Sequence, residues 1–174
     1  MIEEGPVRDE RFVPRDRDMF TTTEGWIFTV LGDVHPPNRI WSYLKYVPGS
    51  GPWRDHSGRT YRRAFTTYTV RELLSIMEDL RTNKPEYVYY DPTVGNEVIA
   101  PPVDAVAGYW KTSEGLMKLV EREESGHATP LELKAIEMVR WLVEQAGLRQ
   151  EGLGITGSLL LGIHHERSDM DIVV

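Results

Sequence analysis

Hydrophobic and polar positions in the first half of the chain alternate with the period of β-strands. Residues 26–31 are rich in aromatic and β-branched side chains, and residues 39–47 and 59–65 alternate with a period of two. Strands with this period bury one face of a sheet. Residues 48–58 contain three glycines and two prolines, which predicts a loop. We therefore expect three strands that pair in an antiparallel sheet.

Two other segments combine the period of an amphipathic helix with a capping signal. Thr69 is followed three residues later by Glu72, and Thr129 is followed by Glu132 at the same spacing. In such a capping box the two side chains satisfy backbone N–H groups at the start of a helix. Apolar residues then recur every three or four positions, and Gly147 ends the second run. The predicted helices are residues 70–82 and 130–146. The apolar stripe of the first consists of Val70, Leu73, Leu74, Met77 and Leu80.

The rest of the chain completes an α+β pattern. Residues 87–90 and 97–99 flank an Asp-Pro turn signal, and we expect them to pair as a hairpin. Residues 116–123 have a helical period. The pattern breaks at a Glu-Glu-Ser-Gly-His run. We expect an N-terminal, mainly antiparallel β domain with a helix over residues 1–127, and a second domain that begins with a helix over residues 128–174.

Composition restricts the class of protein. The chain has 174 residues, a net charge of −7 and no cysteine, which excludes disulfides and thiolate metal sites. It has no signal peptide and no apolar run near the roughly 18 residues that a membrane span needs. We therefore expect no membrane association and a cytoplasmic location.

One segment is basic although the chain as a whole is acidic. Residues 39–71 contain seven Lys or Arg residues and one Asp, which gives a net charge of +6. Aromatic residues are interleaved with the arginines, a composition typical of surfaces that bind RNA or single-stranded nucleic acid. The alternative is a solvated hairpin whose arginines pair with acidic residues elsewhere. The candidate contacts are Arg54, Arg59, Arg62 and Arg63.

Two carboxylates near the C-terminus form the most specific candidate site. Asp169 and Asp171 lie two residues apart, and the run 170–174 favours a strand. Residues i and i+2 of a strand point to the same face, which brings the two carboxylates together. Like charges this close require a bound cation or the uptake of a proton, and oxygen ligands suit Mg²⁺ or Mn²⁺. The alternative is a solvated strand or turn.

A glycine-serine pair upstream of the aspartates can supply a phosphate site. Gly157 permits a tight turn and close approach of a ligand to the backbone. Ser158 is expected to cap a short helix over residues 159–161. Free N–H groups at a helix start bind phosphate oxygens. Alone, the pair predicts only a helix-cap turn, but together with the aspartates it indicates nucleotide chemistry.

The stretch from Gly157 to Asp171 resembles the signature of the DNA polymerase β-like nucleotidyltransferase superfamily. In that signature a Gly-Ser pair leads a short helix and an Asp-x-Asp strand follows. Gly162 and Ser168 also fall at positions that members often share. The resemblance covers only the C-terminal end of the chain and implies that the second domain is the start of an α/β palm. The N-terminal part resembles the front half of uncharacterised archaeal proteins that carry this signature further on.

The resemblance implies transfer of a nucleoside monophosphate from a nucleoside triphosphate to an acceptor hydroxyl by two metal ions. Asp169 and Asp171 would hold Mg²⁺ or Mn²⁺, and Gly157 and Ser158 would seat the triphosphate. Leu161 stands where members often have an arginine or another polar residue, so no basic contact to the triphosphate is expected there. The N-terminal domain would select the acceptor, which is RNA or another molecule.

Members of the superfamily use a third carboxylate from a later strand. This chain ends three residues after Asp171, so we expect it to be part of a longer protein. A truncated, inactive fold and completion by another chain are the alternatives. The second hypothesis is a non-catalytic nucleic-acid-binding or assembly module with a vestigial motif. The third is a phosphoesterase that uses Asp33 and His35, but its later sequence elements are missing and a Pro-rich turn explains these residues better.

Overall fold

The structure is a computed structural model that describes residues 13–67 and 69–174. The strands are β1 (Met19–Thr22), β2 (Ile27–Val30), β3 (Ser42–Arg54), β4 (Thr60–Arg63), β5 (Val88–Asp91), β6 (Asn96–Ile99), β7 (Val106–Trp110), β8 (Gly154–Thr156) and β9 (Asp171–Val173). The α-helices are α1 (Val70–Asn83), α2 (Thr112–Glu124), α3 (Pro130–Ala146) and α4 (Gly157–Leu160). The predicted α+β class is confirmed.

The chain forms two compact units. The first consists of Met1–Gly51 and Tyr61–Tyr109, and the second consists of Pro52–Thr60 and Trp110–Val174. The end of the β3–β4 hairpin therefore belongs to the same unit as the C-terminal motif, although about a hundred residues separate them in sequence. The domain division expected near residue 128 stays a prediction.

A five-stranded antiparallel sheet forms the frame of the first unit. Its strand order is β4-β3-β2-β1-β7, and β5 pairs with β6 in a separate hairpin. The strands predicted from residues 26–31, 39–47 and 59–65 correspond to β2, β3 and β4. The hairpin predicted from residues 87–90 and 97–99 is confirmed as the pairing of β5 with β6. Strand β7 was not predicted, because its five residues include a glycine and show no clear alternation.

The predicted loop over residues 48–58 is wrong, because β3 continues to Arg54. The glycine at position 51 serves close strand pairing here. A Cβ atom at Gly51 would overlap the carbonyl oxygen of Tyr61 on β4. The true turn is shorter and is organised by the Asp55 carboxylate, which accepts hydrogen bonds from two backbone N–H groups.

Helix α1 packs against the sheet with only its second half. Thr69 caps it as predicted, since its hydroxyl accepts a hydrogen bond from the backbone N–H of Glu72. Met77 and Leu80 join the aromatic core, in which Phe20 and Phe28 stack with ring centroids 5.2 Å apart. The first half of the predicted apolar stripe is not buried, because the core ends before it. Val70, Leu73 and Leu74 are 73%, 39% and 60% exposed.

Helix α3 is the element that the sequence predicts most closely. It spans Pro130–Ala146, begins with the complete capping box of Thr129 and Glu132, and ends at Gly147 in a left-handed conformation. Helix α2 starts four residues earlier than the predicted helix over 116–123. Within the described ranges, no helix combines the length and the apolar character that a membrane crossing requires.

The close pairing at Gly51 leads to a prediction about stability. We expect Gly51→Ala to lower the free energy of unfolding by more than about 2 kcal/mol, because the added Cβ must displace the backbone of β4. Gly152→Ala is the matched control. A Cβ at position 152 meets open space, so its effect should stay within about 0.5 kcal/mol. Chemical denaturation of both variants measures the difference, and equal stability of the two would contradict the close approach.

Candidate functional site

Strands β8 and β9 bring the two halves of the C-terminal motif together. They pair antiparallel, with Gly154 opposite Val173, Ile155 opposite Ile172 and Thr156 opposite Asp171. The Gly-Ser pair follows Thr156 directly. Asp171 therefore lies across the ladder from the residue that leads into the Gly157 turn.

The predicted strand over residues 170–174 begins only at Asp171, so Asp169 lies outside the ladder. The physical reason is the turn that precedes it. The Ser168 hydroxyl accepts a hydrogen bond from the backbone N–H of His165 at 3.0 Å, and the Ser168 N–H donates to the His165 carbonyl at 2.9 Å. This turn delays the entry of the chain into the strand. Because Asp169 is not part of the strand, strand geometry does not place the two carboxylates on the same face. Both residues are exposed.

The Gly-Ser pair opens helix α4 in a way that differs from the prediction. The helix begins at Gly157, which has φ 72°, and Thr156 occupies the N-cap position without a side-chain capping bond. Ser158 is consequently the second helical residue and is not the cap. It is only 6% exposed, and its hydroxyl makes no hydrogen bond to any residue that the structure describes. A hydroxyl that bonds no protein group can bond a ligand.

Helix α2 lies unusually close to β8 and α4. A Cβ at Gly154 would lie 2.9 Å from the carbonyl carbon of Thr112, at the first position of α2. A Cβ at Gly115 would lie 3.1 Å from Cγ1 of Ile155 and would also overlap the end of the Leu160 side chain. The two glycines therefore allow α2 to cover the strand that leads into the motif.

The loop after α4 is attached to the N-terminus of α3. Nε2 of His164 lies 3.0 Å from the hydroxyl oxygen of Thr129, the residue that caps α3. The capping partner Glu132 is 3% exposed and accepts hydrogen bonds from Arg122 and from the backbone N–H of Thr129. Nδ1 of His164 is buried without a partner in the described part of the chain.

The surroundings of His164 disfavour its charged form. Burial is the main cause that lowers the pKa of His164, and the nearby positive or ionisable groups Arg122, His165 and His56 lower it further. Glu132 acts in the opposite direction and raises this pKa, but it does not compensate for burial. The neutral ring is therefore the form that the folded loop favours.

The tip of the β3–β4 hairpin also approaches the segment over residues 162–165, between α4 and β9. The rings of Trp53 and His165 have centroids 5.7 Å apart and are tilted by 52°. Nε2 of His56 would lie 3.4 Å from a Cβ at Gly162, which has φ 65°. The sequence does not predict either contact, because they join segments about a hundred residues apart.

The four candidate arginines of the basic segment are divided between the two units. Arg54 and Arg59 lie at the hairpin tip in the second unit, whereas Arg62 and Arg63 lie in the first. Arg54, Arg59 and Arg62 are exposed, and no described carboxylate forms an ion pair with any of these three. The alternative interpretation requires ion pairs between these arginines and acidic residues elsewhere. Such pairs are absent for these three arginines within residues 13–67 and 69–174.

Asp33 and His35 are both bonded to the backbone. Asp33 accepts a hydrogen bond from the N–H of Asp16. The two ring nitrogens of His35 lie 3.1 Å from the Pro14 carbonyl oxygen and 3.3 Å from the Trp41 nitrogen. Such bonds are typical of a structured turn and leave the His35 ring with no free nitrogen for a metal.

The oxygens of Asp169 and Asp171 are the donor type that Mg²⁺ and Mn²⁺ prefer. Across the described ranges, no three or more His, Asp or Glu side chains are grouped so that they could hold a metal ion.

Comparison with known proteins gives a distant relative. The chain is 27% identical over 168 residues to an uncharacterised protein of the archaeon Methanocaldococcus jannaschii. The match covers 92% of this chain and 47% of that protein, so the chain spans about half the length of the curated relative it matches. No protein-family model matches the chain, and no solved structure matches it.

The His164 contact generates a prediction about pH. Because the folded state lowers the pKa of His164 below its ordinary value of 6.5, the unfolded protein binds more protons just below that pH. Neutral His164 therefore makes its full contribution to the free energy of unfolding above pH 6.5. This contribution decreases as the pH falls from 6.5 through the lower pKa of the folded state.

We expect His164→Gln to flatten this decrease in the melting temperature between about pH 7 and pH 5, because glutamine keeps a donor for Thr129 and does not titrate. His127→Gln, at an exposed histidine, is the matched control and should keep the wild-type pH profile. Identical profiles for the wild type and His164→Gln would contradict the assigned role of burial.

Proposed function

We propose that the protein transfers a nucleoside monophosphate from a nucleoside triphosphate to an acceptor hydroxyl and releases pyrophosphate. The observation that carries the proposal is the antiparallel pairing of β8 with β9. This pairing sets Asp171 opposite Thr156, next to the Gly-Ser turn. A phosphate-binding turn and metal-binding carboxylates must be neighbours for this chemistry, since the metal contacts the same phosphates that the turn seats.

The Gly157 turn and Ser158 would bind the phosphates. The absence of a side chain at Gly157 lets a phosphate approach the backbone, and the left-handed φ of 72° strongly favours glycine at this position. The Ser158 hydroxyl, which bonds no described residue, would donate a hydrogen bond to a phosphate oxygen. Ordered donors that are already in place reduce the reorganisation needed when the triphosphate binds.

Asp169 and Asp171 would hold Mg²⁺ or Mn²⁺. A bound divalent ion supplies activation of the attacking hydroxyl and neutralisation of charge on the transferring phosphate. The turn at Ser168 and the contact of His164 with Thr129 restrict the loop that precedes both aspartates. That restriction favours catalysis because carboxylates must keep their geometry during transfer.

The alternative is a non-catalytic binding module in which the motif is vestigial. It predicts that no labelling occurs and that the aspartates are dispensable for binding, whereas the transferase predicts labelling that is lost when either is changed. The relative is about twice as long as the aligned region, so the chain corresponds to about half of it. The identity of the acceptor and the activity of a longer protein are therefore proposals as well.

Incubation with α-labelled nucleoside triphosphates, Mg²⁺ or Mn²⁺ and candidate acceptors tests the transfer. We expect Asp169→Asn and Asp171→Asn each to lower the labelling rate by at least about 100-fold, as loss of a metal ligand at a transferring phosphate would. Glu166→Gln removes an exposed carboxylate from the same loop and should keep wild-type labelling. Undiminished labelling by both aspartate variants would refute the assigned roles.

A further inference from the structure

The hairpin tip over residues 52–60 and the loop over residues 163–168 form one surface within the second unit. The Trp53–His165 ring contact joins them, and His56 approaches Gly162, the residue directly before this loop. The tip is held in shape by Asp55, whose carboxylate accepts hydrogen bonds from the N–H of Arg59 and from both the N–H and the hydroxyl of Ser57. Two segments distant in sequence therefore present their side chains from a fixed arrangement.

The arginines of this surface form no ion pair with a described carboxylate, whereas several arginines elsewhere do. Arg81, Arg122 and Arg140 each form an ion pair with a glutamate. Arg54, Arg59 and Arg167 are exposed, and none of them pairs with a carboxylate in the described ranges. The chain has 27 acidic residues and only 20 basic ones, so acidic partners are abundant. Exposed arginines without a described acidic partner, in a hairpin tip and in the loop that it contacts, indicate a site for an external polyanion.

We propose that this surface, formed by Trp53, Arg54, His56, Arg59, His165 and Arg167, binds a single-stranded polynucleotide. The guanidinium groups would contact backbone phosphates, and the half-buried Trp53 ring beside His165 would stack on a base. A single strand fits this surface better than a duplex, because its unpaired bases are free to stack on aromatic rings.

The place of this surface in the chain connects it with the candidate site. Arg167 lies two residues before Asp169. A polynucleotide bound along the tip and the loop would therefore pass close to the carboxylates of Asp169 and Asp171, as an acceptor must. The inference nevertheless goes beyond the proposed transfer, since the binding itself requires neither a metal ion nor a triphosphate.

Fluorescence anisotropy of labelled oligonucleotides of about 20 nucleotides tests the proposal with the whole chain, without metal or triphosphate. The probes are a mixed-sequence RNA, the DNA of the same sequence and the corresponding duplex, each titrated between about 50 and 200 mM salt. We expect either single strand to bind at least about 10-fold more tightly than the duplex. The tighter of the two single strands identifies the natural class of polynucleotide.

The decisive variant removes two of the unpaired cations. Arg54→Gln with Arg59→Gln should weaken single-strand binding at least about 10-fold and lower the slope of log affinity against log salt by about 1.4, which is 0.7 per lost phosphate contact. Lys118→Gln with Lys134→Gln removes the same charge from exposed positions on α2 and α3 and should change neither quantity. Arg54→Lys with Arg59→Lys should retain most of the affinity, because the charges remain.

Three results would overturn the proposal. One is an absence of single-strand binding at about 50 mM salt. Another is an equal loss of affinity in the Arg54→Gln, Arg59→Gln variant and the Lys118→Gln, Lys134→Gln variant. That result would show that binding depends only on the overall charge of the protein. The last is tighter binding of the duplex. Circular dichroism confirms folding of each variant, and retained binding by Asp169→Asn with Asp171→Asn separates this surface from the proposed transfer.

Discussion

The second unit depends on a close approach between helix α2 and strand β8 that glycine makes possible. At Gly154 a side chain would press on the backbone of Thr112, which cannot move without shifting the start of the helix. At Gly115 a side chain would press on Ile155 and Leu160. Without these two side chains the helix covers β8 and α4 directly. Close packing of this kind holds the strand from which the Gly157 turn begins.

Around this packed centre, one polar network joins three segments. Glu132 is buried and would be costly without a partner, but Arg122 of α2 pairs with it and Thr129 completes the cap of α3. The same Thr129 hydroxyl contacts His164, so the cap of a helix also positions the loop that leads to the aspartates. The geometry of the candidate site therefore rests on residues that a motif search alone would treat as ordinary helix structure.

The two proposals share the loop over residues 163–168. In the proposed transfer, the loop over residues 163–168 leads into the metal-binding aspartates. In the proposed polynucleotide surface, the same loop supplies His165 and Arg167 next to the cations of the tip. A ligand bound to the tip and this loop would lie near the carboxylates, because only a few residues separate them from the loop.

The sequence alone determined the local features whose causes lie within a few residues. The cap of α3, its end at Gly147, the cap of α1 and the alternation of β2, β3 and β4 follow from short-range hydrogen bonding and periodicity. It also predicts that Gly157, Ser158, Asp169 and Asp171 share one site, and this stays a prediction. Only the tertiary structure decided that β3 runs on through the glycines to Arg54, and that Ser158 lies inside its helix. It alone placed Asp169 outside the ladder and the arginines of the hairpin tip in the unit of the motif. These outcomes depend on contacts between residues far apart in the chain, whose energies no local pattern encodes.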